Sequence, residues 1–129
     1  MDQLAFYQAK LQYEIDAADV KAALEAGEPL ILIDTRAAEA FERETIPGAL
    51  SLPHRTMDKE TTAALPRDAL LVSFCDGIGC NGSTKGALKL TQLGFRVKEL
   101  QGGLDWWKRD GYATVGQEGR AGAAIACAC

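Results

Sequence analysis

The stretch SFCDGIGCNGSTKG, residues 73–86, sets Cys75 at the end of an apolar run and Cys80 five residues later, with Gly77, Gly79 and Gly82 between Cys75 and Ser83. A thiolate is the reactive form of cysteine, and it gains from nearby positive charge or oriented N–H groups. Glycines free the backbone to curl so that successive N–H groups point inward, and a following helix adds the positive end of its dipole. Cys75 is therefore the candidate nucleophile. Asp76, Gly77, Ile78, Gly79, Cys80, Asn81, Gly82, Ser83, Thr84 and Lys85 form the candidate binding loop, with Ser83 or Thr84 expected as the helix N-cap. The same donors suit a persulfide, an oxyanion or an attacking sulfur compound, because all are negative. The plainer reading of Cys75 is a small buried residue after a strand; the glycines, polar Asp76 and Asn81, and the helix immediately after favour chemistry.

Other residues could join this site. Cys80 could attack an oxidised or persulfidated Cys75 and leave a disulfide, although four intervening residues are not the two-residue spacing of redox or zinc motifs. Asp76 opposes thiolate formation unless it turns away. Asp34 and Arg36 close the apolar run LILID and are possible supporting residues, with an Arg36 bridge to Glu39 or to a backbone carbonyl as the structural alternative. Arg55, after SLPH, could reach an anionic donor, and His54 beside it is the single histidine, a general base only if the chemistry needs one. Cys127 and Cys129 form a terminal Cys-x-Cys that could relay a thiol. A four-cysteine zinc site would consume the nucleophile at unusual spacings, so no metal is assigned.

The elements that must position these groups follow from pattern. LILID (residues 30–34) and ALLVSF (69–74) are nearly continuous apolar runs, as strands of a parallel sheet buried on both faces require. LQYEI, ALSL and RVKEL supply three further strands. Helices are expected in DAADVKAALEAG, capped by Asp16 and stopped at Gly27, in TRAAEAFERE, in STKGALKLTQLG, and in GLDWWKRDG, where one tryptophan serves the core and the other the rim. The outcome is an α/β domain with a central, mostly parallel five-stranded sheet flanked by helices on both faces. In such a sheet ligands collect beyond the carboxyl ends of the strands, where Cys75 lies.

With 129 residues, 47% hydrophobic and 25% charged, the chain has the size of one domain. It is read as residues 1–115, followed by a Gly/Ala-rich tail, 116–129, that ends in Cys-x-Cys. A formal charge of −4 opposes binding to nucleic acid or anionic membrane. No apolar run reaches the roughly 18 residues of a membrane span and MDQLAFYQAK has no signal-peptide pattern, so the expected location is cytoplasmic, with cysteines that are chemical or incidental and not structural disulfides.

Over residues 11–115 the chain resembles a single-domain rhodanese. LILIDTR resembles the family's strand ending in Asp-x-Arg, and IPGALSLP its segment after the second helix. VSFCDGIGCNGSTKGALKLTQLGF resembles the active-site strand, loop and helix, and VKELQGGLDWWKRDGY the closing Gly-Gly and Trp-containing helix. The resemblance implies a rhodanese-like fold and a sulfurtransferase without cofactor. Cys75 would accept sulfane sulfur from a small anionic donor, thiosulfate or a persulfide, and pass it to a thiol or protein acceptor. Three departures stand out. The loop is longer than the family's usual one and has no Arg before the helix, leaving Lys85 as the nearest cation. Glu44 and Thr45 replace the family's Gly-His. The loop holds a second cysteine, Cys80. Two other readings fit these departures: a non-catalytic rhodanese-like module that presents its loop to a partner, and a thiol redox protein using Cys75 and Cys80.

Overall fold

The structure, a computed structural model, describes residues 1–122. Five strands, β1 (Glu14–Ile15), β2 (Leu30–Asp34), β3 (Leu50–Ser51), β4 (Leu70–Phe74) and β5 (Arg96–Leu100), form one sheet in the order β1-β5-β4-β2-β3. Every pairing between them is parallel. β4 is central, so the backbone that leaves its carboxyl end is flanked on both sides by neighbouring strand ends.

The apolar runs are continuous because each strand faces two cores. Leu32, Val72, Phe74 and Leu100 pack with Ala17 and Val20 of α2 (Ala17–Glu25) and with Leu104 and Trp107 of α5 (Gly103–Arg109). Their sequence neighbours Ile33 and Leu71 turn to the opposite face, against Leu90 of α4 (Gly82–Gln92), Met57 and Phe95. Alternation along the strand therefore separates two apolar faces, which is the signature of a sheet covered by helices on both sides.

Local signals place the helices. Asp16 caps α2 by accepting from Asp19 N at 2.8 Å. At its far end Gly27, with φ +72°, donates to Leu24 O while Glu28 N reaches Ala23 O, a left-handed glycine stop. Short α3 (Ala38–Arg43) follows β2, and a 3-10 turn (His54–Thr56) follows β3. Trp107 is buried in the core and Trp106 is half exposed at the rim.

Two elements differ from expectation. Gln3–Tyr13 forms a helix, α1, capped by Asp2, so LQYEI contributes only Glu14 and Ile15 to the sheet. α1 buries no residue, which left no apolar period to read. Helix α4 begins at Gly82 with Asn81 as its N-cap and no side-chain cap, because the hydroxyls expected to cap it are drawn elsewhere. Beyond Val115, Gln117 N and Glu118 N donate to the carbonyls of Glu42 and Arg43, and Arg120 N to Thr114 Oγ1, so residues 117–120 lie against the domain.

Gly86 sets how closely α4 approaches the sheet. A Cβ there would stand 2.7 Å from Thr35 Cγ2 and 3.3 Å from Met57 Cε. Thr35 cannot rotate away freely, since its Oγ1 donates to Phe74 O at 2.8 Å. Gly86→Ala is expected to lower stability by about 1–2 kcal/mol, the overpacking cost exceeding the gain in helix propensity. Urea midpoints at constant m-value measure this.

Candidate active site

Cys75 leaves β4 at the centre of the carboxyl edge, and two independent restraints hold the loop that begins there. The first is ionic. Asp34, at the end of β2, is wholly buried and accepts from Arg36 N, Nε and Nη2 at 3.1, 3.0 and 2.7 Å and from Thr45 Oγ1 at 2.8 Å. The same guanidinium donates to Glu44 O at 2.6 Å and to Asp76 Oδ1 at 3.0 Å. Its ionisation is shifted upward: burial opposes the charge, but the hydrogen bonds and charges of Asp34 and Asp76 outweigh it. Arg36 therefore bridges β2, the end of α3 and the cysteine loop. Its carbonyl partners are those of Glu44 and Ala40. Asp76 is exposed and pairs with Arg36 at 3.0 Å, while a carboxylate oxygen stays within 4.8 Å of the sulfurs.

Glu44, buried one residue before Thr45, binds Lys108 Nζ at 2.8 Å and accepts from Thr114 Oγ1 at 2.6 Å. Burial raises its pKa, yet these partners together with Arg120 hold it below the usual carboxylate value. The Glu44-Thr45 pair thus serves the scaffold beneath the loop.

The second restraint is backbone. Leu104 N and Asp105 N, in the first turn of α5, donate to Cys75 O at 2.9 Å and Asp76 O at 2.8 Å. Gly102 and Gly103 have φ +76° and +57°, and a Cβ on Gly103 would stand 2.9 Å from Gly77 N. Only glycine permits this approach. Since all peptides are trans, N–H groups of Asp76 and Gly77 point opposite to the carbonyls engaged by α5. Among the described residues, the backbone N–H groups of residues 76–79 and 81–84 have no protein acceptor.

The loop then folds back. Cys80 N donates to Gly77 O at 3.2 Å, closing a turn with Gly79 at φ +94° and Ile78 exposed at its tip. This returns Cys80 to Cys75, and the two form a disulfide with Cα atoms 6.2 Å apart. The Cys75–Cys80 disulfide that the sequence left open is the bond present, the loop turn supplying the proximity. Gly82 lies against both sulfurs: a Cβ there would be 3.2 Å from Cys75 Sγ, 3.6 Å from Cys80 Sγ and 3.3 Å from His54 Cδ2. Donor atoms of Cys75, Asp76 and Cys80 lie within 4.8 Å of one another, but the disulfide occupies two of them.

The remaining candidates divide. Ser83 and Thr84 give their hydroxyls to Glu99 Oε2, each at 2.6 Å, so they offer the loop only backbone N–H groups. Ser73 Oγ donates to Ser83 O at 3.0 Å, anchoring the start of α4 to β4. Asn81 is exposed at the N-cap. Lys85 and Arg55 are exposed, and neither forms an ion pair among the described residues. Their charges bear on His54, whose pKa is lowered by burial first and then by Lys85, Lys89 and Arg55. His54 thus stands beside Gly82 as a neutral ring, closer to the sulfurs than its position after β3 made evident. Cys127 and Cys129 lie outside the described residues.

A cavity of about 480 Å³ opens on Cys75 and Cys80, walled by the loop, Glu99, Gln101, Lys10 and Trp106. Glu14 and Asp16 add acidic groups to its edge, and Lys10 is spanned by Glu14 at 3.0 Å.

The rhodanese-like domain family matches residues 16–110, from the cap of α2 to the end of α5. The chain belongs to this family. A sulfurtransferase of Allochromatium vinosum is 32% identical over 107 residues, 82% of this chain and 97% of its own length. A tRNA uridine(34) hydroxylase of Xanthomonas oryzae pv. oryzae is 38% identical over 100 residues, 72% of this chain. This chain spans little more than a third, 37%, of that hydroxylase. A crystal structure of a Bacillus halodurans protein superposes with TM-score 0.86 at 37% identity, covering 97% of this chain and 92% of the other. A thiosulfate sulfurtransferase of Pseudomonas aeruginosa gives TM-score 0.72 at 30% identity over 81% of this chain and 20% of the other. The expected rhodanese fold is thereby established. No helix among the described residues is long and apolar enough to cross a membrane.

Asp34→Asn leaves buried Arg36 with only the exposed carboxylate of Asp76 as counter-charge and is expected to cost about 3 kcal/mol in chemical denaturation, against about 1 kcal/mol for Thr45→Val. For His54 the folded state binds its proton less tightly than the unfolded state does. Stability from the neutral ring is therefore complete above the ordinary imidazole value of about 6.5 and is lost as pH falls from there through the depressed value. His54→Gln should remove that part of the slope when denaturation midpoints are followed from about pH 7 to pH 5.

Proposed function

We propose that this rhodanese-like domain is a sulfurtransferase: reduced Cys75 attacks the sulfane sulfur of thiosulfate or of a persulfide, holds it as a Cys75 persulfide, and yields it to a thiol or protein acceptor. The observation that carries this reading is a cysteine at the floor of a loop whose backbone N–H groups at residues 76–79 and 81–84 have no acceptor among the described residues. An uncapped helix start completes that loop. A thiolate and a persulfide anion both gain from such donors. The sulfurtransferase relative also matches over nearly its whole length, whereas the hydroxylase match covers a minor part of that protein.

No arginine stands in the loop, and the cavity walls carry Glu14, Asp16 and Glu99 against Lys10. An anionic donor would therefore be held by N–H groups and not by a bidentate guanidinium fork. The acceptor would approach through the cavity, which is wide enough for a thiol on a small molecule or on an extended peptide.

The Cys75–Cys80 bond favours a second reading, a thiol redox protein that cycles this disulfide. The two readings give different products. Protein reduced first and then incubated with thiosulfate or a persulfide donor should gain the mass of one sulfur atom, removable by cyanide and absent in Cys75→Ser. Failure to gain sulfur from either donor, or an equal gain in Cys75→Ser, would overturn the transferase reading.

A further inference from the structure

We infer that Cys80 is a resolving thiol that discharges the Cys75 persulfide as hydrosulfide, so that the domain can reduce sulfane sulfur as well as transfer it. This rests on the transferase reading and adds a chemical step. The Cys80 thiolate attacks Cys75 Sγ. The bond from Sγ to the outer sulfur breaks, its electron pair leaves with that sulfur as hydrosulfide, and the Cys75–Cys80 disulfide forms. The proton given up by Cys80 passes to the outer sulfur, which leaves the persulfide anion as hydrosulfide. The outer sulfur is reduced, and the two cysteine sulfurs together supply the two electrons. A dithiol, on a small molecule or a protein, then exchanges with the disulfide, restores both thiols and is itself oxidised to a disulfide.

Three observations converge on this step. The disulfide that would be its product is the bond present in the structure, closed within one loop. The Gly77–Cys80 turn is what folds Cys80 back, through its N–H to Gly77 O bond at 3.2 Å and the positive φ of Gly79. Gly82 leaves the space in which the sulfurs meet, since its absent Cβ would lie 3.2 Å from one and 3.6 Å from the other. Cys75 also lines the cavity, which gives hydrosulfide a way out. A thiol tethered five residues away acts at an effective concentration in the millimolar range or higher, above that of a dilute external acceptor. Attack on the outer sulfur would only move it between the two cysteines. Attack on Cys75 Sγ yields the observed bond.

The test is a single turnover. Wild type and Cys80→Ser are reduced, freed of reductant under anaerobic conditions and given one equivalent of thiosulfate. Sulfite, hydrosulfide trapped by monobromobimane, and intact mass are followed, with peptide mapping of the cysteines. Sulfite should appear from both proteins. Wild type should then release about one hydrosulfide per chain and finish as the Cys75–Cys80 disulfide, while Cys80→Ser holds its added sulfur at least ten times longer, until dithiol is supplied. If both release sulfite and wild type keeps its sulfur as long as Cys80→Ser, or both shed hydrosulfide equally fast, resolution by Cys80 is overturned and transfer stands. If neither protein produces sulfite, and neither takes up sulfur from a persulfide donor, the transferase reading falls and this step with it.

Discussion

The geometry of the cysteine loop depends on one buried ion pair, Asp34 with Arg36. A carboxylate removed from water is tolerated only when donors replace its hydration, and Asp34 has four: three from Arg36 and one from Thr45. The pair links more than its own strand. Arg36 spends its remaining donors on the carbonyls of Ala40 within α3 and Glu44 just after it and on Asp76, so the end of β2, the end of α3 and the first residue after Cys75 are fixed to one planar group. Lysine could supply the charge but not this fork. The pair also offsets the Asp76 carboxylate, which lies within 4.8 Å of the sulfurs, by placing the Arg36 guanidinium 3.0 Å from it.

Held on that side, the loop is completed from the other by α5. Engaging the carbonyls of Cys75 and Asp76 fixes the orientation of the peptide planes that carry the next two N–H groups. The Gly-Gly entry to α5 makes this contact sterically accessible, so glycines far from the cysteine in sequence act on the amides beside it. Meanwhile Glu99 takes up the hydroxyls of Ser83 and Thr84, which would otherwise cap α4 and occupy one of its free N–H groups. The helix start stays open because Asn81 at the N-cap makes no side-chain cap and the hydroxyls of the first turn are engaged by Glu99.

What was legible in the sequence was what local pattern determines. The continuous apolar runs of β2 and β4 reported burial on both faces, Asp16 and Gly27 marked the limits of α2, and the glycines after Cys75 marked a loop. Non-local partners were not legible. Ser83 and Thr84 have the chemistry of an N-cap, and nothing within four residues shows that Glu99 will claim them. The partners of Arg36 include Asp76, forty residues on, and the carbonyl of Glu44, neither of which spacing could single out over Glu39. Helix α1 buries no side chain, so the alternation in LQYEI read as strand where a capped helix runs to Tyr13. His54 came to lie beside Gly82 only because β3 ends next to β2, and that adjacency is a property of strand order.

Charge around the sulfurs is arranged in two fields. Lys85, Lys89 and Arg55 gather around His54, close enough to disfavour its protonation, whereas the cavity beyond Cys80 is edged by Glu14, Asp16 and Glu99. Arg55 in the first field carries a guanidinium fork but does not line the cavity that opens on Cys75 and Cys80. N–H groups alone recognise negative charge and small size, and they do so whether the anion is a thiolate, a persulfide or the end of a donor. In the proposed reaction such a loop is matched to the species that persists, the sulfur on Cys75, and leaves selection among donors and acceptors to the walls around it. Under the proposed transferase reading, the missing loop arginine fits a site that stabilises its own covalent intermediate more than it discriminates among the molecules that form it.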